Sequence, residues 1–517
     1  MLLAAFPALA AAALGPWPAP TAPGLSHGLP RAVSLRGIRM QGSFGAESIT
    51  IPRGTTVYLV GAQIKRTKYK TLLSQWTVDD SLDELERLSE TAGLEVCGRD
   101  YQTMQHPTAA TFIGSGKLEE LAATVKELRV GAVVFDDELS PAQGRNLQKA
   151  LGGIYVIDRT MLILQIFAQR ARTREAKLQV AAARMQYMLP RLQTMSGFLT
   201  TGAGMEARGG SGGGGGQFLK GAGESQIEMD RRLFRKQLSK IEADIEEVAK
   251  ARRLYREKRQ QRDNLPIVAI VGYTNAGKSS LLNKLCGQAE VYADDLLFAT
   301  LDPTVRKVAL PGGKEVLFSD TVGFIQKLPT KLVSSFRATL DELEDASLIL
   351  HVVDSASPLA QQHISSVVRI VDDVLGASDR PNGQLTPQIL VLNKCDALVE
   401  NTSEFQKGRV DLNVDDWADL YQLDSLTTSP AATVRTSALD GTGLDNLLSV
   451  IEELLAERLE EVECRIPYSA GDLLADIRKS GTVVEESYGP SGTQLVAFVP
   501  PSLSNKLQLA GFARKRA

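Results

Sequence analysis

Apolar residues in the first third of this chain form short clusters whose spacing alternates between that of strands and that of helices. A capping-box pattern, Ser81-Leu-Asp-Glu84, predicts a helix that runs to about Ala92. Strands and helices are predicted in turn at 57–60, 81–92, 94–96, 117–128, 132–135, 141–151 and 155–157. This alternation favours a parallel sheet. We therefore predict a small α/β domain over residues 46–158.

The next region carries two helical stripes instead of strands. Apolar residues step by three and four through Leu178, Ala181, Met185, Met188 and Leu192, and again through Phe234, Leu238, Ile241, Ile245, Val248 and Tyr255. Such stripes must be buried. The two helices are joined through the glycine run at 209–216. Residues 159–263 are therefore predicted to form an antiparallel helical hairpin with a Gly-rich loop, 202–224, at its tip.

Beyond residue 264, apolar clusters alternate with helical segments again. Strands are predicted at 267–271, 316–318, 348–353 and 389–392, and in a last region at 462–466, 482–486 and 493–499 around a helix at 471–479. The first set predicts a doubly wound, mainly parallel sheet over 264–458. The second predicts a small α+β appendage over 459–517. The fold class is thus α/β and multidomain.

Length and charge refine this division. At 517 residues the chain is too long for one core. Its 58 Lys and Arg against 61 Asp and Glu give a net charge of −3, but residues 159–263 hold 21 against 11, a local net charge of +10. The hairpin is therefore a basic segment in an acidic protein. The four cysteines, Cys97, Cys286, Cys395 and Cys464, show no metal or disulfide spacing and fit a reducing compartment.

Residues 1–45 indicate a targeting leader. The apolar run at 1–14 is too short to span a membrane and is interrupted by Pro7, so no stable membrane insertion is expected. No acidic residue precedes Glu47, whereas Arg31, Arg36 and Arg39 do, in a background rich in Pro, Ala and Gly. A signal-like start followed by transit-peptide composition points to the chloroplast, with the mitochondrion second. The alternative is a disordered extension without an address, which would leave the protein in the cytoplasm.

The segment Gly272-Tyr-Thr-Asn-Ala-Gly277-Lys278-Ser279 fits the phosphate-loop pattern, follows a predicted strand and opens a predicted helix. Its backbone N–H groups would bind phosphate, Lys278 would bridge the β- and γ-phosphates as a catalytic residue, and the Ser279 hydroxyl would bind Mg²⁺. The predicted nucleotide contacts are Gly272, Tyr273, Thr274, Asn275, Ala276, Gly277, Lys278, Ser279 and Ser280.

Asp320-Thr-Val-Gly323 follows another predicted strand. Asp320 is suited to hold Mg²⁺ through water, and the Gly323 N–H would sense the γ-phosphate as part of the catalytic set. Thr300 is the candidate that completes the Mg²⁺ shell directly and serves catalysis, with Thr304 as its rival. The predicted contacts in these segments are Phe298, Thr300, Asp320, Thr321, Val322 and Gly323.

Asn393-Lys394-Cys395-Asp396 indicates which base is bound. An aspartate carboxylate accepts from both N1–H and the amine of guanine, whereas adenine offers an acceptor at N1, so the mismatch discriminates by roughly 10⁴ or more. The predicted base site comprises Asn393, Lys394, Asp396, Ser437 and Ala438, with the backbone of the last two aimed at the guanine carbonyl. The domain over 264–458 is therefore predicted to be a P-loop GTPase domain.

Two residues bear on the rate of hydrolysis. Phe324 stands after Gly323, where many small GTPases carry a glutamine that orients water. An apolar side chain cannot do so, and intrinsic hydrolysis on the order of 10⁻⁴ to 10⁻² s⁻¹ is expected until a partner supplies what is missing. Asn275 suggests K⁺ as a second cation, since GTPases that recruit K⁺ place asparagine there; a structural loop asparagine is the alternative.

The basic hairpin is predicted to bind nucleic acid, because Lys and Arg side chains bind phosphates. The candidate RNA contacts are Arg170, Arg172, Arg174, Lys220, Arg231, Arg232 and Arg235, and the flexible tip could thread into folded RNA. The alternative is a solvated helix face. A separate string, Gly114-Ser-Gly116-Lys117, indicates a glycine turn that enters a helix, with a second nucleotide site as the alternative.

Several longer strings resemble the HflX family of ribosome-associated GTPases. They are Gly272 to Ser279, Phe298-Ala-Thr-Leu-Asp-Pro-Thr304, Asp320-Thr-Val-Gly-Phe-Ile325, Gly223-Glu-Ser-Gln-Ile-Glu-Met-Asp-Arg-Arg232, Ser140-Pro-Ala-Gln143, Asp158-Arg-Thr160 and Ile166-Phe-Ala-Gln-Arg-Ala-Arg-Thr173. The resemblance covers about residues 55–500. The leader, most of the stretch 399–430 and the extra glycines of the tip lie outside it.

The resemblance implies a Mg²⁺-dependent GTPase that binds GTP and GDP and engages the large ribosomal subunit and its rRNA. The helical arm would reach toward the peptidyl-transferase region, and the protein would separate stalled or idle ribosomes, with the ribosome stimulating hydrolysis. A monomer is expected in the free state. Two hypotheses compete: an assembly or storage factor that uses GTP as a structural ligand, and an RNA-remodelling or RNA-modification GTPase without a ribosome role.

Overall fold

The structure is a computed structural model. It describes residues 50–65, 77–191, 218–263, 265–287, 297–298, 304–327, 343, 346–375, 386–400 and 429–515. The chain divides into two units, Met1–Ser48 and Ile49–Ala517, and all described residues belong to the second. The predicted leader, residues 202–217 of the predicted Gly-rich loop and most of the stretch 399–430 lie outside the described residues.

The first domain is a parallel sheet covered by helices on both faces. Its elements are β1 (Thr56–Ile64), α1 (Val78–Thr91), β2 (Glu95–Met104), α2 (Ser115–Glu127), β3 (Ala132–Phe135), α3 (Pro141–Ala150) and β4 (Tyr155–Asp158). Within the described residues the strand order is β2-β1-β3-β4, and every pairing is parallel. Alternate residues of β1 face opposite cores, with Leu59 against α1 and Val60 against α2. The predicted parallel sheet is thereby confirmed.

Helix α1 begins earlier than predicted. Its capping box is formed by Thr77 and Asp80: the Asp80 N–H donates to Thr77 Oγ1 at 3.1 Å, and the Thr77 N–H donates to Asp80 Oδ2 at 2.9 Å. The predicted cap at Ser81 is wrong, because Ser81 is already inside the helix and its hydroxyl donates to Asp136 Oδ2 at 2.7 Å. A hydroxyl followed by a carboxylate three residues on occurs twice here, and only the upstream pair caps.

Helix α4 (Arg159–Arg170) belongs to the core of the first domain, so the prediction that the hairpin begins at Arg159 is wrong. Every residue from Arg159 to Phe167 is buried. A helix that is apolar around most of its circumference is a core helix and does not form one side of a hairpin with a single stripe. The hairpin begins instead with α5 (Arg174–Met188).

Helix α5 pairs with the long helix α6 (Phe218–Asp263). Glu175 lies 3.2 Å from Arg252, and Gln186 lies 3.4 Å from Glu242. As residue numbers rise along one helix they fall along the other, so the two helices are antiparallel. At 1.5 Å per residue, α6 extends about 36 Å beyond the level of Gln186 to Phe218.

The nucleotide-binding domain is built on a mainly parallel sheet. Its elements are β5 (Ile267–Gly272), α7 (Lys278–Cys286), β6 (Thr304–Ala309), β7 (Glu315–Asp320), β8 (Leu348–Asp354), α8 (Ala360–Leu375), β9 (Gln388–Asn393), α9 (Cys395–Glu400), β10 (Ala432–Arg435) and α10 (Leu444–Ala456). Over the ranges given above, the strand order is β10-β9-β8-β5-β7-β6, with only β6 antiparallel to its neighbour. The loops at the carboxyl ends of β5, β7, β9 and β10 therefore lie along one edge.

The last region is an antiparallel sheet with helices on one face. It comprises β11 (Glu460–Ile466), α11 (Gly471–Ser480), β12 (Thr482–Gly489), β13 (Gly492–Val499), α12 (Pro501–Leu509) and β14 (Ala513–Lys515). Ile477 of α11 and Leu503 of α12 share one buried core with Val462 of β11. No helix among the described residues combines the length and the apolarity that a membrane span requires.

One apolar core joins the first domain to the nucleotide-binding domain. It contains Leu82 and Phe167 from the first domain together with Phe298, Phe324 and Ile325 from the segments around the predicted phosphate site. Those segments therefore form part of a continuous interior instead of an exposed surface. This packing places the nucleotide site beside the first domain.

Candidate active site

The phosphate loop connects β5 to α7 through two positions where only glycine fits. At Gly272 a Cβ atom would lie 2.2 Å from a carbonyl oxygen of β8. At Gly277 φ is +91°, and a Cβ atom would lie 2.3 Å from the Asn393 amide nitrogen. Lys278, Ser279 and Ser280 follow as the first turn of α7, where backbone N–H groups are directed toward an anion.

Lys278 is held in place by the loop itself. Its ammonium group donates to the carbonyl oxygens of Gly272 at 3.2 Å and Tyr273 at 2.9 Å. An ammonium group has three N–H donors, so a third is left for phosphate. Burial lowers the pKa of Lys278 to about 8, although the Asp320 carboxylate opposes this effect. The side chain is therefore a preorganised cation at neutral pH.

Ser279 and Asp320 form the pair that fits a magnesium ion. The Ser279 hydroxyl donates to Asp320 Oδ2 at 2.6 Å, and Asp320 is fully buried at the end of β7. A hydroxyl and a carboxylate are the oxygen ligands that Mg²⁺ prefers. Bound there, Mg²⁺ would neutralise phosphate charge. Elsewhere in the described part of the chain, no cluster of three or more His, Cys, Asp or Glu side chains could hold a metal ion.

The Asn393 amide ties the phosphate loop to the base-recognition loops. Its Nδ2 donates to the Ala276 carbonyl at 2.9 Å, and its Oδ1 accepts from the Ala438 N–H at 3.0 Å. In this structure the Ala438 N–H is engaged by Asn393, and its predicted contact with the guanine carbonyl stays a prediction. The Ser437 N–H donates to the Thr442 carbonyl at 2.9 Å instead of facing a base.

Asp396 offers the acceptor that guanine recognition requires. Its Oδ1 atom is buried and accepts no hydrogen bond from the described residues. A buried acceptor without a donor costs about 1–3 kcal/mol, which a base with two adjacent donors would recover. Lys394 lies next to it with φ of +64°, and its ammonium group pairs with Asp354 Oδ2 at 2.8 Å.

The segment after β7 lies against the phosphate loop. The Phe324 N–H donates to the Gly272 carbonyl at 3.1 Å, and the Thr274 N–H donates to the Phe324 carbonyl at 2.7 Å. At Gly323, a Cβ atom would lie 3.0 Å from the Lys278 ammonium nitrogen. This glycine therefore lies beside the ammonium group that is predicted to bind the γ-phosphate. The Thr321 hydroxyl donates to the Ile270 carbonyl at 2.7 Å, which makes Thr321 a structural residue.

Two predicted nucleotide contacts turn their side chains toward the first domain instead. The Tyr273 hydroxyl donates to Glu84 and accepts from the Gln326 N–H at 2.7 Å. The ring of Phe298 packs edge-on against Phe167 with 4.6 Å between centroids. Both aromatic side chains are therefore used at the domain interface, which leaves their backbone groups for the predicted nucleotide contacts, and these contacts stay predictions.

The remaining residues predicted for this site are the rest of the phosphate loop, Val322 and the two candidate switch threonines. Val322 is buried, Thr274 Oγ1 is buried without a hydrogen-bond partner among the described atoms, and Asn275 is half-buried with φ of +60°. The K⁺ hypothesis for Asn275 stays a prediction. Thr300 lies outside the described residues, while its rival Thr304 stands in β6 opposite Asp320.

The candidate RNA contacts do not form one patch. Arg174 is exposed at the start of α5, next to Glu175, which pairs with Arg252. Arg232 and Arg235 are exposed on α6, and Arg232 is 20 residues, or about 30 Å, from Arg252 along the helix axis. Arg170 and Arg172 lie near Arg174, and Arg231 lies near Arg232. The side chain of Lys220 lies outside the described residues.

The string at Gly114 is engaged within the first domain. The Gly114 N–H donates to Gln102 Oε1 at 2.8 Å, and the Lys117 ammonium group pairs with Asp100 and with Glu120. Lys117 is thus held by two carboxylates. This favours the predicted glycine turn over a second nucleotide site.

Sequence reasoning missed the charged residues of the first domain that reach the site. Asp136 directly follows β3, and Arg159 directly follows β4. The rule that functional residues follow the carboxyl ends of parallel strands would have selected both, had it been applied to the first sheet as well as the second. Glu84 carries no such signal, since it lies inside α1, whereas Lys327 of the nucleotide-binding domain lies in the segment that follows β7.

Comparisons with known proteins cover most of the chain. Three family models match in order: the N-terminal region of a GTP-binding GTPase at 79–168, the middle region of a GTP-binding GTPase at 170–259, and a 50S ribosome-binding GTPase at 267–394. GTPase HflX of Chlamydia pneumoniae is 38% identical over 441 residues, which cover 85% of this chain and 86% of that protein. GTPase HflX of Escherichia coli is 38% identical over 76% of this chain and 83% of its own length.

Among solved structures, a GTP-binding protein from the archaeon Sulfolobus solfataricus in complex with GDP is similar to this chain. The two are 22% identical, with a TM-score of 0.39, over 78% of this chain and 99% of that one.

Proposed function

The chain belongs to the HflX family of GTPases and hydrolyses GTP, and from this premise we propose that it binds the large ribosomal subunit and separates stalled or idle ribosomes. The observation that carries the proposal is the ordered match of all three regions, of which the last is described as a 50S ribosome-binding GTPase. The nucleotide would act as the switch, and the helical arm would make the contact with rRNA.

Two features of the described residues support this proposal. Phe324 is only 3% exposed and apolar, so its side chain cannot orient the attacking water, and a partner would supply that group. Arg232 and Arg235 are exposed on the part of α6 that extends beyond Gln186, where their guanidinium groups are accessible to phosphates. A ribosome offers both a stimulus for hydrolysis and an rRNA surface.

Nucleotide-dependent association with ribosomes should depend on Lys278. With a non-hydrolysable GTP analogue, the full chain is expected to sediment with 50S subunits, and Lys278→Ala is expected to weaken this association at least about tenfold, because the γ-phosphate loses its cation. The measurement is cosedimentation through a sucrose cushion, with subunit splitting followed on a gradient. Lys307→Ala, a lysine on β6 that pairs with Glu315, is the control. Equal sedimentation of Lys278→Ala and the wild type would refute the proposal, and binding without splitting would favour an assembly factor.

We also propose that residues 1–45 direct the protein to the plastid. The support is their composition alone, which lacks acidic residues and contains arginines among Pro, Ala and Gly. A fluorescent tag at the C-terminus of the full chain should appear in plastids, and deletion of residues 2–45 should leave it in the cytoplasm. A mitochondrial signal from the full chain would replace the plastid assignment, and a cytoplasmic one would remove the address.

A further inference from the structure

A buried charged cluster stands where the first domain meets the nucleotide-binding domain. Arg159 is 2% exposed, and its guanidinium group pairs with Glu84 and with Asp136, the latter at 2.8 Å. Glu84 is 8% exposed and Asp136 is 2% exposed. One cation is thus shared by two buried carboxylates, which leaves a charge of −1 to be balanced.

Each of these two carboxylates also contacts a residue of the nucleotide-binding domain. Glu84 accepts from the Tyr273 hydroxyl in the phosphate loop. Asp136 pairs with the Lys327 ammonium group, which also lies 2.9 Å from Asp137 Oδ1. Lys327 stands four residues after Gly323, and its positive charge offsets the charge that Arg159 leaves on Glu84 and Asp136, while Asp137, whose side chain is 25% exposed, is partly solvated.

The segment from Gly323 to Lys327 is anchored along its length. Phe324 exchanges two backbone hydrogen bonds with the phosphate loop, and the Gln326 N–H donates to the Tyr273 hydroxyl at 2.7 Å. Lys327 forms the last anchor and is the one that reaches into the first domain. Because the segment is fixed to the phosphate loop and to the first domain, the backbone at Gly323 is held beside the Lys278 ammonium group.

Moving Lys327 away would be costly. Although burial raises the pKa of Asp136, Arg159 and Lys327 outweigh this and hold it below its ordinary value, so the carboxylate is charged. Without Lys327 the cluster would keep two buried carboxylates and one cation, and an uncompensated buried charge is strongly unfavourable. The position of the segment is therefore coupled to the charge balance of the first domain.

We propose that Lys327 is a positioning residue for GTP: by pairing with Asp136 and Asp137 it fixes the segment that presents the Gly323 N–H to the γ-phosphate. The first domain thereby contributes to the recognition of the γ-phosphate without touching it. GDP lacks that phosphate and gains nothing from this arrangement. The proposal concerns GTP binding and hydrolysis and does not depend on a ribosome.

A merely structural role makes a different prediction. If Lys327 only held two domains together, its loss would change the affinities for GTP and GDP by the same factor. The ratio of the two affinities therefore separates positioning from general stabilisation. Asp137 provides an independent test from the other domain, since its side chain is 25% exposed and its substitution leaves the pairs of Arg159 intact.

The experiment measures the affinities of the full chain for a non-hydrolysable GTP analogue and for GDP by calorimetry. Lys327→Met and Asp137→Asn are each expected to weaken binding of the GTP analogue, Lys327→Met by about tenfold, with GDP binding within about twofold of the wild type. The double variant should lose less than the product of the two factors, because both remove the same contact. Lys327→Arg should retain most of the GTP preference.

The control is Lys307→Met, which removes a lysine at 3.0 Å from Glu315 within the nucleotide-binding domain and should leave both affinities unchanged. Equal losses for the GTP analogue and GDP, no change for either, or a gain for the GTP analogue would each overturn the proposal. If Lys327→Met does not fold, the nucleotide ratio of Asp137→Asn decides.

Discussion

Asp396→Asn is expected to lower the affinity for GTP by roughly 10³- to 10⁴-fold and to create a preference for xanthosine triphosphate. The Asp396 Oδ1 atom is buried without a hydrogen-bond partner among the described residues, so its acceptor serves the base. Asparagine keeps one acceptor for N1–H but presents an amide donor to position 2. Guanine has a donor there and xanthine has a carbonyl, so only xanthine is matched. Calorimetric titration with both nucleotides gives the two affinities.

Asp445→Asn is the matched control, since this carboxylate is exposed in the first turn of α10 and should leave both affinities unchanged. A variant Asp396→Asn that loses GTP and xanthosine triphosphate equally would show that Asp396 does not read the base. Retained GTP binding would lead to the same conclusion.

The residues that bind phosphate and base were predictable because their chemistry is local. A phosphate loop needs glycines and a lysine at fixed spacing after a strand, and Gly272, Gly277 and Lys278 meet that need within seven residues. The parallel sheets were predictable for a similar reason, since apolar clusters alternated with helical segments in both domains. In each case the signal lies in one short stretch of chain.

What the sequence did not reveal is contact between distant residues. The Tyr273 hydroxyl meets Glu84 across 189 positions, and Phe298 packs on Phe167. Nothing in the local pattern shows that these aromatic side chains fill a domain interface. Helix α4 was misplaced likewise, because charge counts over 159–263 concealed that its first nine residues are buried.

In both domains, functional residues follow the carboxyl ends of parallel strands. Tyr273 follows β5 and the segment of Lys327 follows β7, while Asp136 follows β3 and Arg159 follows β4. The carboxyl ends of two parallel sheets thus supply the residues that meet around the buried cluster. Charge of the buried carboxylates in the first domain is offset by Lys327 of the nucleotide-binding domain, and this ion pair is the contact through which the proposed positioning would act.

Arg159→Met is expected to destabilise the first domain by about 3–5 kcal/mol, because it leaves Glu84 and Asp136 buried beside each other with only Lys327 to balance them. Methionine fills a similar volume, so the loss of stability would come from the missing charge and its hydrogen bonds. Hydrogen exchange at the buried amides of β3 and β4 measures the free energy of opening for this domain. A loss below about 1 kcal/mol would mean that the cluster is not held by Arg159.

Arg99→Met is the control, because Arg99 is 39% exposed and pairs with Asp83 on the surface, where an ion pair contributes at most about 1 kcal/mol. The pH dependence gives a second check. In the wild type the pKa of Asp136 lies below its ordinary value, so its stabilisation is present above the unfolded pKa and stays complete between pH 7 and pH 5. In Arg159→Met, Asp136 loses one of the two cations that lower its pKa, so that pKa should rise and the destabilisation should become smaller as the pH falls. A difference that grows on acidification would contradict this assignment of charge.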